Sequence, residues 1–300
     1  MTTLISRNRA RSGARNRATG TGALGVIGRV FIWLFVASAL GTLLWAVLTS
    51  FRDTRSIFQN PLALPDPWRF ENYLTAWEKA GFGGAALNSV IITLVSSVLV
   101  VAISAPAAYV LARSNRRIAN PLTVFFVLGL GVPGQVLFVP IFLVMVRIQD
   151  AAGLQMLNTL HGLILVYVAL GVPFTVFLLT GFFKSLPVEL EEAAALDGAS
   201  GLRTFGQIVL PVAKSGLVTA FILQMLGYWN ETLFALVLAP SEEHRTLPIA
   251  LLQFIQQQQY TGADWGGLYA GVIILTLPTF VAFIVAGRRL MEGLTVGVSK

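Results

Sequence analysis

Long apolar stretches, separated by short polar ones, set the pattern of this chain. They run from Val26 to Thr49, then over about 86–112, 121–146, 159–180, 214–238 and 265–286. Several hold about 20 residues with few or no charges, enough to cross roughly 30 Å of hydrocarbon. The pattern predicts an all-α polytopic membrane protein with six transmembrane helices over residues 27–286. A basic stretch, residues 1–26, precedes them and is expected to be a disordered cytoplasmic arm. The first apolar run is too long for a cleaved signal core and reads as an uncleaved span. Residues 50–85 read as a polar loop whose Trp68, Phe70, Tyr73 and Trp77 suit a membrane interface. Pro106 is expected to kink the second span. Gly131, Pro133, Gly134 and Pro140 interrupt the third, and Pro173 lies in the fourth. The Gln256–Gln259 run reads as a polar outer loop, and residues 287–300 as a cytoplasmic tail.

One segment breaks the apolar pattern: residues 181–213, centred on Pro187-Val-Glu189-Leu-Glu191-Glu192-Ala193-Ala194-Ala195-Leu196-Asp197-Gly198-Ala-Ser200. Pro187 suits a first helical turn, where its missing N–H costs nothing. Glu189, Glu191 and Glu192 lie near the positive end of the macrodipole. Gly198 suits the left-handed position that ends a helix. Ser200 can cap a second helix that stops before Pro211. The prediction is a bent helical hook with an acidic rim and a small-residue face of Ala193, Ala194, Ala195, Gly198, Ala199 and Gly201. Small residues allow close backbone approach, so this face suits insertion into a partner's groove.

Composition agrees with a membrane protein: 55% of residues are hydrophobic and 12% charged, about half the usual charged share. The net charge of +7 does not signal nucleic acid, because the basic residues flank apolar segments instead of forming one continuous face. With the N-terminus inside, 15 Lys/Arg fall on the cytoplasmic side and 6 outside, as the positive-inside rule requires. That places both termini and the hook in the cytoplasm. The absence of cysteine excludes disulfides and thiolate chemistry. No Gly-Lys pair occurs, so the chain has no Walker A loop with which to hold ATP.

Glu192-Ala193-Ala194, then Gly198, Ile208 and Leu210-Pro211, resemble the EAA motif of permease subunits of binding-protein-dependent ABC importers. Ser50-Phe51-Arg52, Glu71-Asn72-Tyr73, Asn88-Ser89, Ala107-Ala108-Tyr109, Trp229-Asn230-Glu231, Thr246-Leu247-Pro248 and Met291-Glu292-Gly293-Leu294-Thr295 are similar to the MalG-like, carbohydrate-uptake branch. The chain departs from that pattern at Val212-Ala213-Lys214-Ser215, where relatives often carry another proline. The resemblance implies a type I importer permease fold with a cytoplasmic coupling-helix hook. It implies no cofactor in this chain, ATP being bound by separate ABC ATPase subunits that dock on the hook. It further implies a second permease subunit, expected to be a MalF-like chain, and an extracytoplasmic sugar-binding protein. Glu191, Glu192, Ala193, Ala194, Asp197 and Gly198 are the expected ATPase-coupling residues.

Candidates for the translocation path are Gln135, Gln224, Tyr228, Trp229, Asn230 and Glu231. Aromatic rings pack on sugar rings and amides bond hydroxyls, but the same residues also suit helix–helix contacts. Glu231 stands out among span residues as ionisable, and reads either as an interhelical hydrogen-bonding group or as a substrate contact. An ion-coupled carrier is the rival class, and other solutes such as glycerol phosphate or a polyamine are rivals within importers. His161 and His244 lack metal-ligand spacing. Gly267 and Gly271 form a small-xxx-small face suited to packing within the chain.

Overall fold

A computed structural model describes residues 23–114 and 116–296. No strand occurs among them, and the elements follow in order: α1 (Ala23–Thr49), α2 (Thr54–Gln59), α3 (Glu71–Lys79), α4 (Phe82–Arg113), α5 (Arg116–Leu130), α6 (Gly134–Ala152) and α7 (Leu160–Ser185). The hook then supplies α8 (Glu189–Leu196), α9 (Gly201–Thr204), a π-turn (Phe205–Val209) and α10 (Leu210–Val212). After it come α11 (Lys214–Trp229), α12 (Leu233–Leu238), α13 (Leu247–Thr261) and α14 (Trp265–Val296).

Five helices are long and apolar enough to cross a membrane alone: α1, α4, α6, α7 and α14. Helix α11, at the place of the fifth predicted span, has 16 residues and reaches that length and hydropathy only together with residues 201–212, to which it is joined at a bend of 73°. The fold is therefore the expected all-α one, and several boundaries are corrected. The first helix begins at Ala23, inside the stretch read as an arm; residues 1–22 of that arm lie outside the described residues. The third span is two helices, because Pro133 cannot donate and the chain breaks between Leu130 and Gly134. The fifth span is broken at residues 230–232. The sixth continues as helix to Val296, through most of the stretch read as a tail.

Two stretches read as loops are helical. Residues 50–85 contain α2 and α3. Asp53 caps α2 by accepting from Ser56 N at 3.0 Å, and that amide holds the carboxyl below the usual range. The Gln256–Gln259 run lies in α13. Thr246 precedes that helix, Pro248 occupies its first turn, and Leu247, Ile249, Ala250 and Phe254 are buried. Burial of that face outweighs the polarity of the glutamines.

Helix α4 is the axis of the molecule. At 32 residues it is about 48 Å long. It enters three successive apolar cores: Phe82 and Ala85 pack with α13 and α14, Ile92 and Val100 with α7 and α12, and Ala105, Ala108 and Leu111 with α7 and the hook. Near its N-terminal end Asn88 Nδ2 donates to Glu243 O at 2.8 Å and Arg245 O at 3.1 Å, while Ser89 Oγ accepts from Leu247 N at 2.8 Å. Asn72 Nδ2 likewise donates to Ser50 O and Arg52 O. The Asn72 and Asn88 motifs are thus fasteners on the face opposite the hook. Gly267 and Gly271 pack inside the chain, a Cβ at Gly271 coming 2.9 Å from Leu251 and 3.2 Å from Phe82.

Candidate coupling hook and translocation cleft

The hook turns at Gly198, whose φ is +76°. Gly198 N donates to Ala195 O at 3.1 Å and Ala199 N to Ala194 O at 2.9 Å, the paired bonds of a Schellman ending. The expected glycine stop is therefore present. Pro187 sits two residues ahead of α8, not in its first turn. Ser200 occupies the N-cap of α9 without a side-chain bond. Pro211 does not end the second helix: the chain widens into the π-turn, continues through Val212, and bends at Ala213. An extra residue per turn gives carbonyls before a proline room to shift away from its ring.

The expected coupling residues divide into two groups. Glu192, Ala193, Asp197 and Gly198 are exposed. Ala194 is buried, facing the interior of the hook. Glu191 also turns inward: its Oε1 accepts from Arg113 Nε at 2.7 Å and its Oε2 from Tyr109 Oη at 2.9 Å. Two leucines at the tip that are not among the expected coupling residues, Leu196 and Leu202, are 89% and 86% exposed. Their signal was available: leucines flanking a glycine turn in a polar loop have no core to join. With Ala193 and Ala195 they give the hook an apolar tip beside an acidic edge.

Across the molecule, α7, α11 and α12 enclose a cleft of about 390 Å³ lined by Tyr167, Gly171, Phe174, Gln224, Tyr228 and Glu231, among others. The Tyr167 and Tyr228 rings stack with centroids 5.0 Å apart. Tyr228 Oη donates to Tyr167 O at 2.8 Å, and Tyr167 Oη donates to Glu231 Oε2 at 2.6 Å. Glu231 also accepts from Phe234 N at 2.9 Å and Ala235 N at 3.2 Å, capping α12 where the span breaks. Gln224 Nε2 donates to Gly171 O at 3.1 Å and Thr175 Oγ1 at 2.7 Å. Three of the predicted path residues, Gln224, Tyr228 and Glu231, thus meet in one place, with their polar atoms bonded within the chain. Trp229 points elsewhere, donating to Leu275 O on α14 at 3.0 Å. Asn230 is exposed and bonds back to Leu226 O at 2.8 Å. Gln135 is exposed on the first turn of α6, outside the cleft. His161 and His244 bond locally, to Gln155 O and Ser241 Oγ. Among the described residues no group of His, Cys, Asp or Glu could hold a metal ion.

Residues 101–288, from the middle of α4 through the hook to α14, match the family model described as binding-protein-dependent transport system inner membrane component. The chain belongs to that family. This inner membrane component is 35% identical over 284 residues to the diacetylchitobiose uptake system permease protein NgcG of Streptomyces coelicolor, covering 95% of this chain and 92% of that one. It is 34% identical over 267 residues to the trehalose transport system permease protein SugB of Mycobacterium tuberculosis, covering 89% and 94%. A solved chain of a bacterial ABC transporter involved in the import of the acidic polysaccharide alginate has the same fold, with a TM-score of 0.73 at 21% identity, covering 88% of this permease component and 95% of that chain.

Proposed function

We propose that the chain is one membrane-spanning permease subunit of an ATP-driven, binding-protein-dependent importer of a sugar, in particular an oligosaccharide. In this reading it forms half of the translocation pathway and transmits the work of a separate ATPase. The observation that carries it is the hook: a glycine-stopped helix whose exposed Leu196 and Leu202 flank small residues and the Glu192 carboxylate. Such a tip fits an apolar groove edged by a basic group on an ATPase subunit. The sugar assignment is supported by the names of NgcG and SugB and by the alginate importer of the same fold.

The excess of Lys/Arg on the hook side supports both termini and the hook in the cytoplasm. A second permease, expected to be a different MalF-like chain, completes the pathway, and an external binding protein delivers the sugar. Closure of the ATPase pair, felt through the hook, then rocks the spans between inward-open and outward-open states, two arrangements biased by binding on the cytoplasmic side. The ion-coupled alternative would need a carboxylate able to gain and lose a proton within the spans. Glu231, the candidate for it, is committed to three donors at a helix break, an arrangement that supports a structural role. The test is a mild-detergent pull-down of the tagged chain. Recovery of an ATPase and a second permease is the expected result. Recovery of the chain alone, still moving sugar in vesicles without ATP, would overturn the proposal.

A further inference from the structure

Glu191 lies on the docking helix, yet it faces its own chain. The carboxylate is 16% exposed and the Arg113 side chain 18%. Arg113 closes the last turn of α4, donating through Nε to Glu191 and through Nη2 to Leu186 O at 3.2 Å, the residue that ends α7. Tyr109, one turn earlier, donates to the other carboxylate oxygen and places its ring 4.9 Å from Phe205 of the π-turn and 5.8 Å from Phe183 of α7. Two residues of α4 therefore hold both limbs of the hook, α8 through Glu191 and the π-turn through Phe205, together with the end of α7. Tyr109 and Arg113 are on the face of the helix that also buries Ala105 and Ala108, the long axis running to Asn88 at the far side.

We infer that Tyr109 and Arg113 are positioning residues of the coupling step: by clasping Glu191 they make the docking helix and α4 move as one body. The inference rests on the proposed importer function and assigns Glu191 a task inside this chain, distinct from the partner-facing task of the exposed Glu192. Without the clasp, α8 keeps its packing within the hook and the linker 186–188, but no side chain of α4 fixes its carboxylate. A pull on the hook then spends itself in the loop. Charge-assisted bonds to both oxygens fix the orientation of the carboxylate as well as its distance.

The test uses the whole importer, with wild-type, Glu191→Gln, Arg113→Gln, the double variant and the milder Tyr109→Phe. Co-purified ATPase, ATP hydrolysis and sugar uptake in proteoliposomes are measured for each. In the single glutamine variants uptake per ATP hydrolysed should fall roughly tenfold, the factor that loss of one charge-assisted hydrogen bond corresponds to, while the ATPase co-purifies as in wild type. The double variant should lose no more than either single one, because one interaction is being removed twice. Wild-type uptake in all variants, additive losses, or loss of the ATPase from Glu191→Gln but not Arg113→Gln would overturn the clasp. A second readout does not depend on transport. The chain has no cysteine, so spin labels at exposed Ala195 and Val110 report the α8–α4 distance directly. The distribution should be narrow in wild type and broad in Glu191→Gln; equal widths would refute the clasp even if the importer reading fails for want of ATP-driven uptake by the wild-type assembly.

Discussion

Replacing Gly171 with alanine should disrupt the packing of α7 on α11, and the structure says by how much. An added Cβ would lie 2.0 Å from Tyr228 Oη, 3.1 Å from Val100 Cγ2 and 3.2 Å from Gln224 Nε2. The first distance is impossible, so the Tyr228 hydroxyl must move. Moving it breaks its bond to Tyr167 O and disturbs a ring stack with an interplanar angle of 9°. Overpacking costs about 1–3 kcal/mol and a lost interhelical hydrogen bond about 0.6–2 kcal/mol, together about 2–5 kcal/mol. The assay is thermal unfolding in detergent of four proteins: wild type, Gly171→Ala, Tyr228→Phe and the double variant. Tyr228→Phe removes the obstructing oxygen at the cost of one hydrogen bond. In that background the nearest of the remaining contacts, Val100 Cγ2 at 3.1 Å and Gln224 Nε2 at 3.2 Å, need give by only a few tenths of an ångström, so the added cost of the alanine should fall below that in the wild-type background. An alanine that lowers stability equally in both backgrounds would refute the argument, because the clash would then lie elsewhere.

Three further outcomes are expected. Gly198→Val places a β-branched residue at a φ of +76°, a strain of at least about 1–2 kcal/mol confined to the hook; membrane insertion should persist while uptake per ATP falls, and unimpaired uptake would count against the turn's role. Leu202→Asp, at a position 86% exposed, should leave thermal stability within about 0.5 kcal/mol of wild type yet sharply reduce the ATPase recovered in a pull-down. Asn88→Ala removes both bonds to the Glu243 and Arg245 carbonyls; it should cost about 1–3 kcal/mol and speed cleavage of residues 240–246 by protease added on the side opposite the hook.

The sequence made legible whatever depends on local chemistry. Five of the six apolar segments reappear, whole or in part, as helices long and apolar enough to cross a bilayer, and the fifth as part of a bent pair, because crossing demands length and hydrophobicity, both visible in one dimension. Gly198 was identified because a helix that must end in a left-handed residue has few choices. The contacts among distant segments were not legible. Tyr109 and Arg113 meet Glu191 across 82 and 78 positions, and nothing in the spacing of α4 distinguishes them from other residues of an apolar helix with a basic end. Gln224, Tyr228 and Glu231 lie along one predicted span, but only the fold shows α7 supplying Tyr167 and Gly171 as their partners. The glutamine run of α13 misled because polarity was read without the buried face that precedes it.

The most direct test of the account is sugar uptake by proteoliposomes holding the chain with its co-purified partners. The account predicts uptake that requires ATP on the hook side and the sugar-binding protein on the other, and that is indifferent to an uncoupler. Uptake that persists without ATP and collapses with the uncoupler would contradict it, and would return Glu231 to consideration as a coupling group.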